Sequence, residues 1–502
     1  MGEPQVFAGA VFASGDGGAG DGEGGERVAK VGYEIISLFR PINLLPIQHR
    51  QINLAKIMAV QTINEIRIKG YKSLADETKL EIRPLTILAG ANSSGKSSVM
   101  QPLLLLKQSL ASPSDPGVLE LAGPNVHFTN YEQMFYRCPG NGKSAKSMKF
   151  GFSTGNAAKP DRLDLNYKLT GNELRLEKQD VTLLEAKDQR FEMSLRPGLM
   201  TAEQIESLPQ QVREVRDSVN KNRPSPFVFK CQLSRGFLDV VLGPEHDATM
   251  VMNAMGFGID RVIRQQLLNL IHIPGLRGNP ERDYPLRKTK GPRFDGHFQD
   301  YVAGILAGWK GGEKLGQLSE ALHHLGLTWK VVAKPLDATR VEIVVGRLKD
   351  PKRGGANDFV NIADVGFGVS QILPALVALE VAVAGQLIHL EQPEIHLHPK
   401  AQRNLAKLLG QAAASDRRLV VETHSSILIR GIQTLVAKGE LDPKLVKLHW
   451  FTRDDDTGAT KITSADLDEN GAFGADWPED FDDTYLESER EYLDAVEARF
   501  HT

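Results

Sequence analysis

Cysteine is nearly absent: 502 residues hold only Cys138 and Cys231, which share no local motif. That excludes a disulfide framework or a cysteine-built zinc site, and it fits a reducing cytosol. Long apolar runs are missing too. The longest, around Ile372 to Leu390, is broken by Pro374, Glu380, Gln386 and His389, a pattern that a membrane span does not tolerate. The first residues lack a basic region followed by an apolar run, so no secretion signal and a cytoplasmic location are expected. Between 112 and 355 the longest stretch free of both Pro and Gly, Asn172 to Arg196, is too short for a long coiled-coil arm.

What is present is ordinary core-forming material, 41% hydrophobic and 25% charged residues, at a length that suggests two or three packed units. Charge is unevenly spread. From Asp466 to Thr502 thirteen acidic residues stand against Arg490 and Arg499, a balance of −11; with the chain at −3, the remainder carries +8. That tail reads as a solvated acidic segment, or as one that docks on a basic face. At the other end, Ser14 to Gly25 is mostly Gly, Asp, Ala and Glu and cannot bury a core. The texture changes at Met58, so residues 1–57 are expected to be a poorly ordered, dispensable extension.

Beyond Met58, Ile63 to Ile68 alternates like a strand with one exposed face, and Leu85 to Ala89 reads as a strand buried on both. A leucine-rich helix follows, with Pro102 expected to bend it. After a region of short strand signals, Ala363 to Glu380 reads as a Gly-rich turn and helix. Gln386 to Leu390 then reads as a buried strand, Pro399 to Ala414 as a helix and Arg418 to Val421 as a strand. Such alternation indicates a parallel sheet covered by helices, an α/β fold.

The chemistry begins at Gly90-Ala91-Asn92-Ser93-Ser94-Gly95-Lys96-Ser97-Ser98, which satisfies G-x-x-x-x-G-K-[ST] after a strand and at the opening of a helix. The glycines let successive N–H groups face phosphate oxygens, Lys96 reaches the β- and γ-phosphates, and the Ser97 hydroxyl ligates Mg²⁺. ATP and Mg²⁺ are the implied cofactors. Such a loop needs an acid at the end of a neighbouring strand, and LIHLEQPEIHLHP supplies Glu391, then Gln392 and Glu394. Gly366, Gly368 and Ser370 precede a helix whose free N–H groups suit an anion, although a plain helix start reads the same way. Glu422-Thr-His424-Ser425 closes a further strand, where His424 suits a γ-phosphate sensor.

These four pieces, in this order, resemble the ABC-type ATPase heads of OLD-family, RecF-like and SMC-like proteins. The resemblance extends to AAA_21-type ATPases with an EQPExHLHP Walker B region and a short acidic, aromatic C-terminal module, here Leu467 to Asp483. It covers roughly 58–135 and 265–485, including IRIKGYKSL and IPGLRGNPERDY. It implies an ABC-ATPase-like head, a mixed sheet flanked by helices, with a long α+β insertion between Walker A and the signature. The implied division is an N-terminal lobe at 58–137, the insertion at 138–355, a C-terminal lobe at 356–440 and an acidic module at 441–502. It further implies a head-to-tail dimer, or a higher oligomer, with ATP sandwiched between one P-loop and the Gly368–Ser370 signature of a second copy. Lys72 and Ser73 are then expected near the nucleotide.

Two departures stand out. FGVSQ replaces LSGGQ, and Gln392 occupies the position of the usual catalytic Glu, so hydrolysis is expected to be slow, with Glu394 or His424 assisting. Proteins of this resemblance serve phage defence and DNA maintenance, often beside a separate nuclease or toxin. Three functions are therefore open: an ATPase regulating a partner effector, a DNA-structure sensor, or an OLD-like nuclease. Asp454-Asp455-Asp456 could mimic a metal cluster for the last, but FTRDDDTGAT reads as a hairpin turn. His396 and His398 read as part of a structural loop. Arg277 to Arg293 carries six basic residues against Glu281 and Asp283, a solvated loop or a surface for nucleic acid or an acidic partner; no aromatic interleaving supports base stacking.

Overall fold

Leu85–Gly90 is buried throughout because it lies between two hydrophobic cores. In the computed structural model Leu88 joins one core, and Leu85, Ile87 and Ala89 join the other. The structure describes residues 61–474 except 140–143, 156–159, 185–189, 222–223, 247–250, 256–257, 288–290, 349 and 351–357, together with 490 and 493. The expected extension at 1–57 lies outside the described residues, as does the acidic module beyond 474 apart from 490 and 493.

Along the chain, β1 (Ile63–Lys69) and β2 (Thr78–Glu81) precede β3 (Leu85–Gly90), and α1 (Lys96–Ala111) opens directly after the 90–95 loop. β4 (Ser147–Thr154), β5 (Asp161–Thr170), β6 (Glu173–Leu184) and β7 (Arg190–Leu195) extend β1 and β2 into a six-stranded antiparallel sheet, order β2-β1-β4-β5-β6-β7. β8 (Gly198–Leu199), β9 (Phe227–Ser234), β10 (Phe237–Pro244) and β11 (Met252–Met255) form a second antiparallel sheet. α2 (Gly258–Asn269) then leads into β12 (Ile271–Ile273), and β13 (Tyr284–Pro285), β14 (Val331–Pro335), β15 (Arg340–Gly346) and β16 (Phe359–Asn361) pair in a small antiparallel sheet.

A fourth sheet organises the site. It has the order β12-β17-β18-β3-β19-β20, where β17 is Leu387–Glu391, β18 Arg418–Thr423, β19 Val446–Arg453 and β20 Thr460–Ala465. All neighbours pair in parallel except the β19–β20 hairpin. Against one face lies α1, apolar around most of its circumference and continuous through Pro102, with α2 beside it and the six-stranded sheet beyond. The other face carries α3 (Gln299–Gly308), α4 (Glu313–His324), α5 (Phe367–Val381), α6 (Pro399–Ala414) and α7 (Ser426–Ala437). A helix apolar over so much of its surface must be buried on most sides, and α1, between two sheets, meets that demand, with the Lys107 and Gln108 side chains hydrogen-bonded to carbonyls inside.

One local expectation changes. β1 is not exposed on one face: Arg67 is buried and ion-paired to Glu65 and to Asp164 (3.0 Å), because β1 sits inside the antiparallel sheet between β2 and β4. In the basic run from Arg277 the arginines beyond it stand at the surface, as in a solvated loop, while Lys288 and Lys290 lie outside the described residues. Arg282 pairs with Asp364, Arg287 with Asp300 and Arg293 with Asp295, and Arg277 turns inward. Among the described residues no helix is long and apolar enough to cross a membrane.

Candidate nucleotide site

Register places the site. Glu391 pairs with Glu422, Thr423 with Ala89 and Phe451 with Gly90, so the ends of β17, β18, β3 and β19 finish along one edge, where ligands bind in parallel α/β sheets. The loop leaving β3 there must be glycine at both ends. Gly90 has φ 138°, and a Cβ on it would lie 2.2 Å from the Phe451 carbonyl oxygen. Gly95, at φ 103°, would meet Thr460 Oγ1 at 2.2 Å and Ser73 Oγ at 2.7 Å.

A cavity of about 650 Å³ opens over this loop. Lys72, Asn92, Ser93, Gly95, Lys96, Ser97, Ser98, Glu391, Gln392 and His424 line it, joined by Glu422, Tyr136 and Arg453. Lys96 Nζ donates to the Gly90 and Ala91 carbonyls (3.1 and 2.8 Å), closing the loop on itself. Ser94 is buried and its hydroxyl finds no partner among the described residues, while its carbonyl accepts from Thr460 Oγ1. Lys72, at φ 48°, stands over the Phe128 ring, and burial lowers its pKa. Burial also lowers His424, with the Lys96 charge adding to the effect.

The acids are arranged otherwise than the sequence suggests. Ser97 Oγ donates to Glu422 Oε2 at 2.8 Å, so the carboxylate in direct contact with Ser97 is Glu422. Glu391 instead engages His272 Nε2 (2.9 Å) and the Gly275 amide (3.0 Å). Burial alone would raise the Glu391 carboxyl, but the His272 hydrogen bond, the nearby His389 and the Gly275 N–H hold it down at about 2. Glu422 Oε1 in turn meets His389 Nε2 at 2.9 Å, and the two imidazoles stack 5.1 Å apart. Each acid thus has its own buried histidine, the way metal-binding carboxylates are commonly oriented. His272, His389 and Glu391 also form a metal-capable cluster, their ligand atoms within 4.8 Å.

Glu394 is held at one oxygen only. It does not line the cavity; its Oε1 accepts from Thr423 Oγ1 (2.6 Å) and the His424 amide (3.1 Å), so it braces the end of β18. Gly368 and Ser370 lie outside the cavity as well, with Ser370 Oγ bonded to the Phe367 carbonyl. The three aspartates sit at the β19–β20 turn, where Asp454 caps Thr457 and pairs with Lys461. Sequence reasoning missed Glu422, His272, Arg277, Arg453 and Thr460. Only Glu422 left a signal, an acid closing an otherwise apolar strand.

Two family models match the chain: "AAA domain, putative AbiEii toxin, Type IV TA system" over residues 279–430, and "AAA ATPase domain" over residues 62–212. No curated protein matches the sequence. Similar solved structures include an Smc head bound to the C-winged helix domain of ScpA: 12% identity, 81% of this chain and 98% of that one, TM-score 0.44. The SMC head domain from Thermotoga maritima is 11% identical over 80% and 98% of the two chains, TM-score 0.36. An Smc head with extended coiled coil from Pyrococcus furiosus, bound to the C-terminal domain of ScpA, gives 10%, 87% and 100%, TM-score 0.39. The strand–loop–helix phosphate cradle at the edge of a parallel sheet, with AAA-type models matching residues 62–212 and 279–430, is that of a P-loop ATPase.

Proposed function

We propose that two copies of this chain close head to tail around ATP and that the cycle of closing and opening regulates a separate effector, such as a nuclease or toxin, in phage defence or DNA maintenance in the cytoplasm. One observation carries the reading. Lys96, Ser97, Glu391, Gln392, Glu422 and His424 converge on a single cavity, whereas Gly368 and Ser370 open α5 outside it. A signature-type helix start that its own chain does not use suits a phosphate of a second copy's nucleotide.

In this reading the 90–95 amides and Lys96 hold the triphosphate, and His424 stands by the γ-phosphate. Ser97, Glu422 and Glu391 fit a magnesium ion, since a hydroxyl and two oriented carboxylates are the hard oxygen donors it takes. Bound there, the ion would neutralise phosphate charge. Gln392 can orient a water but cannot take its proton, which suits slow turnover and a switch rather than a motor.

The test is ATP turnover and ATP-driven self-association of the purified chain, with and without DNA, alongside Lys96→Ala. Nucleotide affinity should fall by at least tenfold in the variant while its unfolding midpoint stays put. Wild-type protein without affinity for ATP would end the proposal.

A further inference from the structure

The loop that follows β12 touches the catalytic edge and the signature-type helix together. Gly275 N–H bonds one carboxylate oxygen of Glu391, and His272, at the start of the same segment, bonds the other. Arg277, two residues on, is buried and spreads its guanidinium over three main-chain oxygens. Its Nη2 donates to the carbonyls of Glu391 (2.7 Å) and Gln392 (3.2 Å), and its Nη1 to the carbonyl of Gln371 (2.9 Å). Gln371, the residue after Ser370 in the first turn of α5, returns the link: its side chain is buried and donates to the Gly278 carbonyl at 2.8 Å. Gln392 itself sits at φ 43°, a left-handed conformation that a non-glycine residue keeps only where its surroundings hold it. Its side-chain oxygen would lie 3.5 Å from a Cβ placed on Gly275.

We infer that Arg277 is a positioning residue that couples the two ends of the machinery within one chain. A shift of the Ser370 end of α5, caused by a second copy's nucleotide, is transmitted through Gln371 and Arg277 to the Glu391–Gln392 turn of the first copy's own site. The inference rests on the head-to-tail reading. A planar guanidinium fork suits this coupling, because one rigid group spans both elements and neither moves without the other. Burial lowers the guanidinium toward about 10, opposed by the Glu394 and Glu391 charges, and it stays charged at neutral pH.

The test compares the full chain with Arg277→Lys, which keeps the charge but not the fork, and with Gln371→Met, which removes the return bond at similar volume. Three quantities are read: affinity for a fluorescent ATP analogue, ATP-dependent self-association by sedimentation, and turnover per site across protein concentration. Both variants should bind and associate within about twofold of wild type, while turnover per site falls about tenfold and no longer rises as copies associate. The coupling is overturned if turnover in the variants simply follows association, or is unchanged. If wild-type protein does not self-associate with ATP, the dimer reading fails first and the coupling with it, a result visible before any variant is made.

Discussion

Glu422→Gln separates a metal-binding acid from a structural one. The amide can still accept from His389 Nε2 and still meet Ser97 Oγ, so both contacts of the side chain survive and the stability cost should stay below about 1 kcal/mol. What disappears is one unit of negative charge facing the phosphates and their ion. At an effective dielectric of about 20 and a separation of roughly 5 Å, one charge pair is worth about 3 kcal/mol. A divalent ion presents two charges and the nearest phosphate oxygen takes one back. The net loss for the metal–nucleotide complex is therefore about 3 kcal/mol, roughly 100-fold in affinity. Without metal the sign reverses. Only repulsion between carboxylate and phosphate remains, so the variant should bind metal-free nucleotide as well as wild type or better. The assay is a fluorescent ATP analogue titrated in magnesium and in EDTA, with a denaturant melt as control. Equal losses of affinity in both buffers would refute the electrostatic reasoning, and so would magnesium dependence unchanged in this variant but abolished by Glu391→Gln.

Gln392→Glu restores a group able to take a proton from water, so turnover should rise by roughly tenfold or more at saturating ATP, measured by phosphate release; no change would show that Gln392 does not limit the rate. His449 is buried between Ser464 Oγ (2.7 Å) and the Glu81 carbonyl (2.9 Å), and burial, with Lys447 adding to it, lowers its pKa to about 4. The fold keeps it neutral, whereas the unfolded chain takes up a proton near pH 6.5. Its contribution is thus complete above that pH and is lost progressively between about 6.5 and 4, up to ~3 kcal/mol. His449→Gln should flatten the pH dependence of urea unfolding over that window; an unaltered slope would count against the assignment.

Local chemistry determined a good deal from the sequence alone. A left-handed bend before Lys96 and Ser97 can be built only with Gly90 and Gly95. A run such as Leu387–Leu390 ending in an acid has few places other than the edge of a buried strand. The α/β class followed from apolar strands alternating with amphipathic helices. Tertiary structure alone decided the partners of the acids. Ser97 meets Glu422 because β18 lies between β3 and β17, an order that no periodicity encodes, since strand neighbours are chosen by long-range pairing. For the same reason His272 and His389, 117 positions apart, stack beneath the site, and Arg277, seemingly one of a basic run, is drawn inside to hold three carbonyls. Folding likewise brought Thr423 Oγ1 and the His424 amide to one oxygen of Glu394, contacts between residues about thirty positions apart that no local pattern announces.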